Sequence, residues 1–463
     1  MKKIKAGYLP FYIKLYDDGN PQKREPMVAY MNTLISMLEG NDLEIVRADV
    51  CRIKSEFEAA VQMFNEADVD VVITQHLAYS PSLEYIDAIL KLKADIVVLD
   101  TTPDYPLVSV AGYKNGISAN HGIHGVQELC SMLKRNGRPY SVCVGHAMHD
   151  DVIAQTVGAC RAAAAAKAFR TAKVGSVGGS FDGMGDFLIS DEDYKEKIGA
   201  EVLYLSREMA EKYVESVTEE EIDQEVALDR KRFTWEIEQE DCYRAAVKSG
   251  LALRKWVEEN KLTAATVNFL ALDKYGLPKM PFAECSKMMA RGLGYAGEGD
   301  VLTAGLMGAL RSVYQETNFV EMFCPDWEKD LILLSHMGES NIELAQWRPV
   351  LKDTPFKHNS CGDTAAAYVC MKQGKAVYLN LVPMGESFTL IVTPVEIVDA
   401  GQEFGVYRYA TQGWMKPCKP VKEFLKEFSI HGGTHHSVMV YGAELEEMKT
   451  FGAMMGFDVV VID

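Results

Sequence analysis

The chain lacks closely spaced cysteines, a surplus of basic residues and long apolar runs. Its ten cysteines are scattered without a CxxC motif, which argues against a structural zinc site and favours reduced, mostly buried thiols. Lysine and arginine number 48 against 66 acidic residues, and the net charge of −18 argues against a nucleic-acid partner, which would need a basic face. No apolar stretch reaches the roughly 18 residues of a membrane span, and no signal-peptide pattern opens the chain. We therefore expect a cytoplasmic protein with neither nucleic-acid nor membrane partners.

The 463 residues alternate between short valine- and isoleucine-rich runs and segments with helical periodicity. This alternation predicts an α/β fold built on mainly parallel sheets. At about 150 residues a domain, the length suggests roughly three domains. We place a doubly wound N-terminal α/β domain at residues 1–171, a central doubly wound α/β domain at 172–333 and a C-terminal β-rich, mainly antiparallel domain at 334–463.

The same patterns locate individual elements. We predict helices at Val28–Glu39, Ser55–Glu66, Val152–Ala172, Thr218–Arg232 and Val301–Val313, and a turn at Gly294–Asp300. The predicted strands are Ile4–Phe11, Leu43–Ala48, Val69–Thr74, Ile96–Asp100, Tyr140–Gly145, Lys173–Val177, Ala265–Asp273, Ala376–Val382, Phe388–Val398, Ser437–Tyr441 and Asp458–Ile462.

Candidate metal ligands gather in the C-terminal half. Glu316 opens the motif ETNFVE, Glu339 closes LLSHMGE, His358 lies in PFKHNS, and the pair His435 and His436 belongs to GGTHHSV. The pair can supply one further imidazole. Two carboxylates and two imidazoles form a mixed oxygen and nitrogen set that suits a catalytic divalent metal such as manganese.

Strand periodicity limits which of these side chains can meet. If His435 and His436 lie on a strand, they point to opposite faces, so only one can reach a given ion. The same parity separates Glu316 from Glu321 if ETNFVE is extended. Scattered glutamates and histidines also occur on helix surfaces and in cores, so spacing alone leaves the site open.

Several motifs resemble the L-arabinose isomerase and L-fucose isomerase family, with the closer similarity on the arabinose isomerase side. The match runs through most of the chain in the family's order. It is carried by GYAGEGDVLTAGLM (Gly294–Met307), ETNFVE (Glu316–Glu321), LLSHMGE (Leu333–Glu339) and GGTHHSV (Gly432–Val438), with fainter similarity in the N-terminal part.

The resemblance implies a metal-dependent aldose–ketose isomerase that acts through an enediol intermediate. It implies Mn²⁺, or another divalent ion such as Co²⁺, held by Glu316, Glu339, His358 and His436, with Glu316 and Glu339 also serving as the acid–base pair. Around His358 the sequence FKHNSCGD departs from the family's pattern. A homotrimer or homohexamer is implied, in which the N-terminal domain of a neighbouring subunit completes each active site.

Sugar contacts carried over from the resemblance fall on Leu15, Tyr79, His121, His124 and Met184. Two departures occur among them: arabinose isomerases have a Gln-His pair where this chain reads IKLYD (residues 13–17), and a glutamine where it has His121. A pocket with different hydrogen-bonding groups selects a different sugar. We therefore expect a substrate other than L-arabinose, with a hexose, a deoxy-sugar or an anionic sugar open.

Two other functions stay open at this point. A sugar-binding or regulatory protein could keep the fold without turnover, because function resides in the site rather than in the fold. A metal-dependent hydrolase or lyase could use the same ligands to activate a water molecule.

Overall fold

The computed structural model of the protein describes residues 3–41, 43–107, 116–399 and 411–463. The chain divides into two compact units. The first unit consists of Met1–Lys167 and Glu446–Gly456, and the second of Ala168–Leu445 and Phe457–Asp463. The domain limits at residues 171 and 333 stay predictions.

The first unit is built on a parallel five-stranded sheet. Its strands pair in the order β2-β1-β3-β4-β5, and valine, leucine and aromatic side chains of the sheet pack with those of the helices in one core. This confirms the doubly wound α/β fold, and the strands predicted here are present to within two residues. The strands are β1 (Ile4–Phe11), β2 (Leu43–Arg47), β3 (Val71–His76), β4 (Asp95–Asp100) and β5 (Tyr140–Val144). The helices that begin in this unit are α1 (Lys14–Gly19), α2 (Glu25–Glu39), α3 (Lys54–Glu66), α4 (Ile86–Ile89), α5 (Gly116–Ala119), α6 (Ile123–Arg135) and α7 (Val152–Arg170).

The second unit contains a parallel four-stranded sheet in the order β10-β9-β6-β7. Its strands are β6 (Lys173–Val177), β7 (Glu201–Tyr204), β9 (Ala264–Val267) and β10 (Gly294–Gly297), while β8 (Thr234–Glu236) joins a small separate sheet. The helices are α8 (Asp191–Asp193), α9 (Arg207–Glu215), α10 (Glu219–Arg232), α11 (Glu240–Glu259), α12 (Phe282–Ala290) and α13 (Val301–Arg311).

Two predicted elements of this sheet need correction. The strand predicted at Ala265–Asp273 ends at Val267, because the Asn268 side chain accepts a hydrogen bond from Leu270 N and starts a 3₁₀ helix. The turn predicted at Gly294–Asp300 begins as a strand, since Gly294–Gly297 pairs in parallel with β9.

The C-terminal part of the second unit is a barrel-like antiparallel sheet. Its strands follow the order β15-β18-β11-β12-β17-β16-β19, and pairing of β15 with β16 closes the sheet on itself. The pairings are antiparallel except β16 with β19. This confirms the mainly antiparallel C-terminal fold. The barrel strands are β11 (Thr317–Asp326), β12 (Leu331–Ser335), β15 (Gly374–Met384), β16 (Ser387–Val398), β17 (Gly413–Pro417), β18 (His436–Tyr441) and β19 (Asp458–Val461). Strands β13 (Val350–Thr354) and β14 (Thr364–Tyr368) lie outside the barrel.

Helix α13 connects the two sheets of the second unit. All of its residues are buried, and it contacts β9 and β10 of the parallel sheet as well as β11, β15 and β18 of the barrel. Strands β14, β13 and β8 form the small sheet, and the remaining helices are α14 (Val421–Ile430) and α15 (Leu445–Met455). Among the described residues no helix is both long and apolar enough to cross a membrane.

Candidate metal centre

Strand pairing in the barrel brings carboxylate and imidazole side chains together. In the antiparallel pair of β11 and β18, Glu321 lies directly opposite His436, so their side chains share one face of the sheet. His336 follows the last residue of β12, Ser335, which pairs with Glu321 on the other side. The Phe319 ring supports both histidines, at centroid distances of 4.7 Å from His336 and 4.9 Å from His436.

Glu298 reaches this cluster from a tight turn after β10. Its backbone has a φ of +63°, a left-handed conformation that costs a non-glycine residue on the order of 1–3 kcal/mol and clusters at functional sites. The preceding Gly297 passes so close to His336 that an added Cβ would lie 2.7 Å from the ring. The GEGD motif thus bends the chain so that the carboxylate of Glu298 approaches the histidines.

Two groups of potential metal ligands share His436. One consists of Glu321, His336 and His436, the other of Glu298, His435 and His436, and the ligand atoms within each lie within 4.8 Å of one another. His436 Nε2 is 3.5 Å from Glu298 Oε2, and His336 Nε2 is 3.9 Å from Glu321 Oε2.

The donor set fits a divalent cation. The Nε2 atoms of His336 and His436 are buried and have no hydrogen-bond partner among the described residues, although a buried polar nitrogen normally has one. Ligand atoms that each lie about 2.0–2.2 Å from one ion would be separated from one another by less than the 4.8 Å found within each group. A mixture of imidazole and carboxylate also matches the preferences of Mn²⁺ and related ions.

His436 and His336 are each held at Nδ1 by a carboxylate. Asp300 Oδ2 lies 2.9 Å from His436 Nδ1, while Asp300 Oδ1 accepts the backbone N–H of Thr303 at the start of α13. Glu339 Oε2 lies 2.7 Å from His336 Nδ1. A carboxylate that accepts the Nδ1 proton leaves Nε2 as the ligating nitrogen, as in many metal sites.

His435 has a similar arrangement at the more exposed edge of the cluster. Its Nδ1 lies 2.6 Å from Asp186 Oδ2, and the same oxygen accepts its backbone N–H at 3.1 Å. Its Nε2 lies 3.6 Å from Glu298 Oε2. The His435 side chain is 32 % exposed whereas that of His436 is fully buried, so His435 can contact a molecule that enters from solvent.

The electrostatics of the two glutamates differ. Burial opposes ionisation of Glu298, but the neighbouring His435 and His436 imidazoles lower its pKa to about 2. Burial raises the pKa of Glu321 despite the nearby histidines. Burial disfavours the charge on His436, yet Asp300 and Glu298 raise its pKa to about 9.

The structure does not bring the four sequence-predicted ligands together. Of the four, His436 alone belongs to either ligand group among the described residues. Glu316 precedes β11, and its backbone carbonyl accepts Tyr441 N at the opposite end of β18 from His436. Five residues at about 3.3 Å each separate it from Glu321 along the strand, roughly 16 Å, and its carboxylate pairs instead with Lys372.

The other two predicted ligands have different surroundings. Glu339 lies beside the cluster, but both of its oxygens are engaged, one with Tyr295 O–H and one with His336 Nδ1. His358 is exposed, and its ring packs edge-on against Phe356 at 5.1 Å. Glu339 is therefore placed to orient the His336 ring, and His358 lies outside both groups of potential metal ligands.

The predicted sugar contacts fall in both units. In the first unit, Leu15 is 68 % exposed, Tyr79 hydrogen-bonds Glu128, and His121 Nε2 lies 2.8 Å from His124 Nδ1. Met184, in the second unit, is partly buried in the loop after β6. The positions of these side chains do not test whether they contact a sugar, so all five sugar contacts stay predictions.

Glu298, Glu321 and His336 are the site residues that sequence reasoning did not select. All three lie inside the quoted motifs, in GEGD, ETNFVE and SHMGE. The odd spacing of Glu316 and Glu321 indicates that the two cannot share one face of a strand, but not which of them faces the cluster. His336 is three residues before Glu339, a short spacing at which the two side chains can meet, as they do in the structure. Which member of each motif faces the cluster depends on strand register.

Comparison with known proteins identifies the family of the chain. The model of the L-arabinose isomerase central domain matches residues 191–316, and that of the C-terminal domain matches residues 316–458. The chain belongs to the L-arabinose isomerase family. It is 25 % identical to the L-arabinose isomerase of Aeromonas salmonicida (strain A449) over the whole chain and 95 % of that protein. It is 28 % identical to that of Clostridium beijerinckii (86 % of this chain, 82 % of the relative) and 26 % to that of Geobacillus kaustophilus (85 % and 80 %).

Membership of the arabinose isomerase family places this chain among the isomerases of carbohydrate metabolism. The family-model matches cover the whole cluster, because Glu298 lies in the central match and Glu321, His336 and His436 in the C-terminal one. The relative from Aeromonas salmonicida aligns with the full chain and therefore with both units.

Proposed function

We propose that this protein is a divalent-metal-dependent aldose–ketose isomerase that works through an enediol intermediate, with Glu298, Glu321, His336 and His436 holding the ion. The observation that carries this proposal is the pair of buried, unpartnered Nε2 atoms that face two carboxylates. Mn²⁺ suits this set of ligands, and Co²⁺ is a second candidate. The ligands named here replace Glu316, Glu339 and His358 of the sequence prediction.

The chemistry of the reaction matches the residue types of the cluster. Converting an aldose to a ketose moves one proton between neighbouring carbons and another between their oxygens. When bound, a divalent ion supplies polarisation of the substrate oxygens. Of the two carboxylates, that of Glu321, which is 22 % exposed and whose pKa is raised by burial, is the better placed to accept a proton from one substrate atom and return it to another.

His435 is suited to hold the sugar rather than the ion. Asp186 fixes its ring through Nδ1, and its partial exposure lets Nε2–H donate to a hydroxyl or carbonyl oxygen of the substrate. Phe187 stacks on His436 at 5.0 Å, and with Phe319 it lines the histidines with apolar surface. Such a surface excludes water, which strengthens the electrostatic interactions inside the site.

Removal and return of the metal test the proposal. The protein is treated with a chelator, dialysed and assayed for ketose formation on a panel of aldoses before and after addition of Mn²⁺ or Co²⁺. We expect turnover to disappear in the metal-free protein and to return with the ion. A protein that binds a sugar but converts no aldose in either state would instead be a binding or regulatory protein.

We also propose that the natural substrate is a sugar other than L-arabinose. The proposal rests on the sequence IKLYD at residues 13–17 and on His121, which differ from the arabinose isomerase pattern. Lys14 forms an ion pair with Asp18 at 2.6 Å, so this lysine gives little support to an anionic sugar, and a hexose or deoxy-sugar is favoured. In the same aldose panel, a clearly highest kcat/KM on L-arabinose would overturn this proposal.

The assembly is a separate proposal. The family resemblance favours a homotrimer or homohexamer, with the N-terminal part of a neighbouring subunit completing each active site. Light scattering coupled to size-exclusion chromatography measures the mass directly against the 51.5 kDa chain. A monomer that retains full isomerase activity at dilute concentration would contradict it.

A further inference from the structure

A buried tyrosine lies behind one of the proposed ligand histidines. Tyr295 is in β10, three residues before Glu298, and is fully buried. Its hydroxyl donates a hydrogen bond to Glu339 Oε1 at 2.9 Å. The second oxygen of the same carboxylate, Oε2, lies 2.7 Å from His336 Nδ1. The side chains therefore form a continuous line from Tyr295 through Glu339 to His336.

The line ends at the unpartnered nitrogen of the metal centre. His336 Nε2 has no hydrogen-bond partner among the described residues and faces Glu321 Oε2 at 3.9 Å. Glu339 is 2 % exposed, and its partners in the described chain are the Tyr295 hydroxyl and the His336 ring. A carboxylate held by a single donor can turn about its last torsion, which is broad. A second donor on the other oxygen fixes the plane of the carboxylate.

We propose that Tyr295 is a positioning residue of the metal centre: by fixing Glu339 it orients His336, so that Nδ1 carries the proton and Nε2 is presented to the ion. The inference rests on the proposed function, because it concerns the same ion. It adds a residue that contacts neither the ion nor the substrate. Outer partners of metal-bound histidines commonly change metal affinity by about 10–100-fold.

The hydroxyl groups of two other buried tyrosines in the second unit donate to partners that do not hold a proposed ligand histidine. The Tyr194 hydroxyl donates to a backbone carbonyl, that of Val301. The Tyr243 hydroxyl donates to Asp229 Oδ2 at 2.6 Å, and that carboxylate pairs with the buried Lys287. Tyr243 therefore provides a matched control, since it is equally buried and also donates to a carboxylate, but the carboxylate holds a lysine rather than a ligand histidine.

The variant Tyr295→Phe removes the hydroxyl and keeps the ring. Mn²⁺ is titrated into metal-free wild type, Tyr295→Phe and Tyr243→Phe, and binding is measured calorimetrically without substrate. We expect Tyr295→Phe to bind Mn²⁺ about tenfold more weakly and Tyr243→Phe to bind like wild type. The visible absorption spectrum of the Co²⁺-loaded protein should change in Tyr295→Phe alone, because it reports the ligand arrangement.

A double-mutant cycle and a rescue separate positioning from general packing. In a Glu339→Gln background, Tyr295→Phe should weaken Mn²⁺ binding by far less than tenfold, because the residue through which Tyr295 acts is already altered. A 4-aminophenylalanine at position 295 keeps an N–H donor at the same place and should restore affinity. It also provides the test if Tyr295→Phe does not fold.

The outcomes distinguish this inference from the proposed function. Wild type that binds no Mn²⁺ would overturn the metal-dependent function itself. Wild type that binds Mn²⁺ with a Tyr295→Phe variant of equal affinity would overturn only the role of Tyr295. Equal weakening in Tyr295→Phe and Tyr243→Phe, or full additivity with Glu339→Gln, would also overturn it and leave Tyr295 as a packing residue.

Discussion

Two glutamates of one motif distinguish the proposed metal site from the site predicted from the sequence. Glu316 and Glu321 both belong to ETNFVE. Glu321 is 22 % exposed beside His336, whereas Glu316 is 48 % exposed and pairs with Lys372. Glu321→Gln and Glu316→Gln each remove one negative charge and keep the side-chain shape, so the two variants differ mainly in position.

The expected magnitudes follow from these surroundings. Changing an outer partner of a metal ligand weakens binding by about 10–100-fold, so loss of a carboxylate ligand should weaken it by at least about 100-fold. This corresponds to roughly 2.7 kcal/mol of binding free energy. Glu316→Gln breaks a surface ion pair, which contributes about 0–1 kcal/mol to stability. We expect it to leave the affinity for Mn²⁺ unchanged.

Calorimetric titration of Mn²⁺ into both metal-free variants provides the assay, and thermal unfolding of the same samples checks that each is folded. His336→Asn and His358→Asn form a second matched pair, in which only His336→Asn should lose the metal. The reasoning would be refuted if Glu316→Gln or His358→Asn abolished binding while the partner variants bound normally.

Three further predictions concern the second unit. Asp300→Asn keeps an oxygen for one of its two hydrogen bonds, so Mn²⁺ affinity measured by titration should fall by about tenfold, and unchanged affinity would contradict the role of Asp300. Glu225 is buried, which opposes its charge, but Arg254 and Lys287 lower its pKa to about 2. The pKa of Glu225 is lower in the folded protein than in the unfolded chain, so its contribution of roughly 3 kcal/mol to the free energy of unfolding is present above about pH 4.5 and is lost as the pH falls towards 2. Urea denaturation across this range should show a steeper loss of unfolding free energy in wild type than in Glu225→Gln. Thr218→Ala removes the capping box of α10 and should lower the free energy of unfolding by about 1 kcal/mol, whereas Thr218→Ser should not.

Local sequence signals were sufficient to predict several elements. The alanine-rich α7, and α10 with its acidic first turn and basic last turn, are present where the sequence predicts them, because helix propensity and the interaction of charges with the helix dipole act within a few residues. The sequence also predicts the hydrophobic strands of the first sheet. The strand predicted at Ala265–Asp273 is shorter in the structure, since the Asn268 side chain starts a 3₁₀ turn that hydrophobicity does not report.

The motifs that contain the proposed ligands could be predicted from the sequence, but not every ligand position within them. Which glutamate of ETNFVE faces the cluster depends on the pairing of β11 with β18, and a shift of one residue would exchange the two faces. Glu298 depends on a left-handed turn, and the acidic residue itself gives no sign of that conformation. His436 was selected through the family resemblance, since strand parity states only that His435 and His436 cannot both reach one ion.

The most direct measurement is anomalous diffraction at the manganese absorption edge from crystals of the protein grown with Mn²⁺. We predict a single strong peak in the second unit with Glu298, Glu321, His336 and His436 as its protein ligands. A peak beside Glu316 or His358, or crystals in which those four side chains hold no ion at saturating Mn²⁺, would contradict the account.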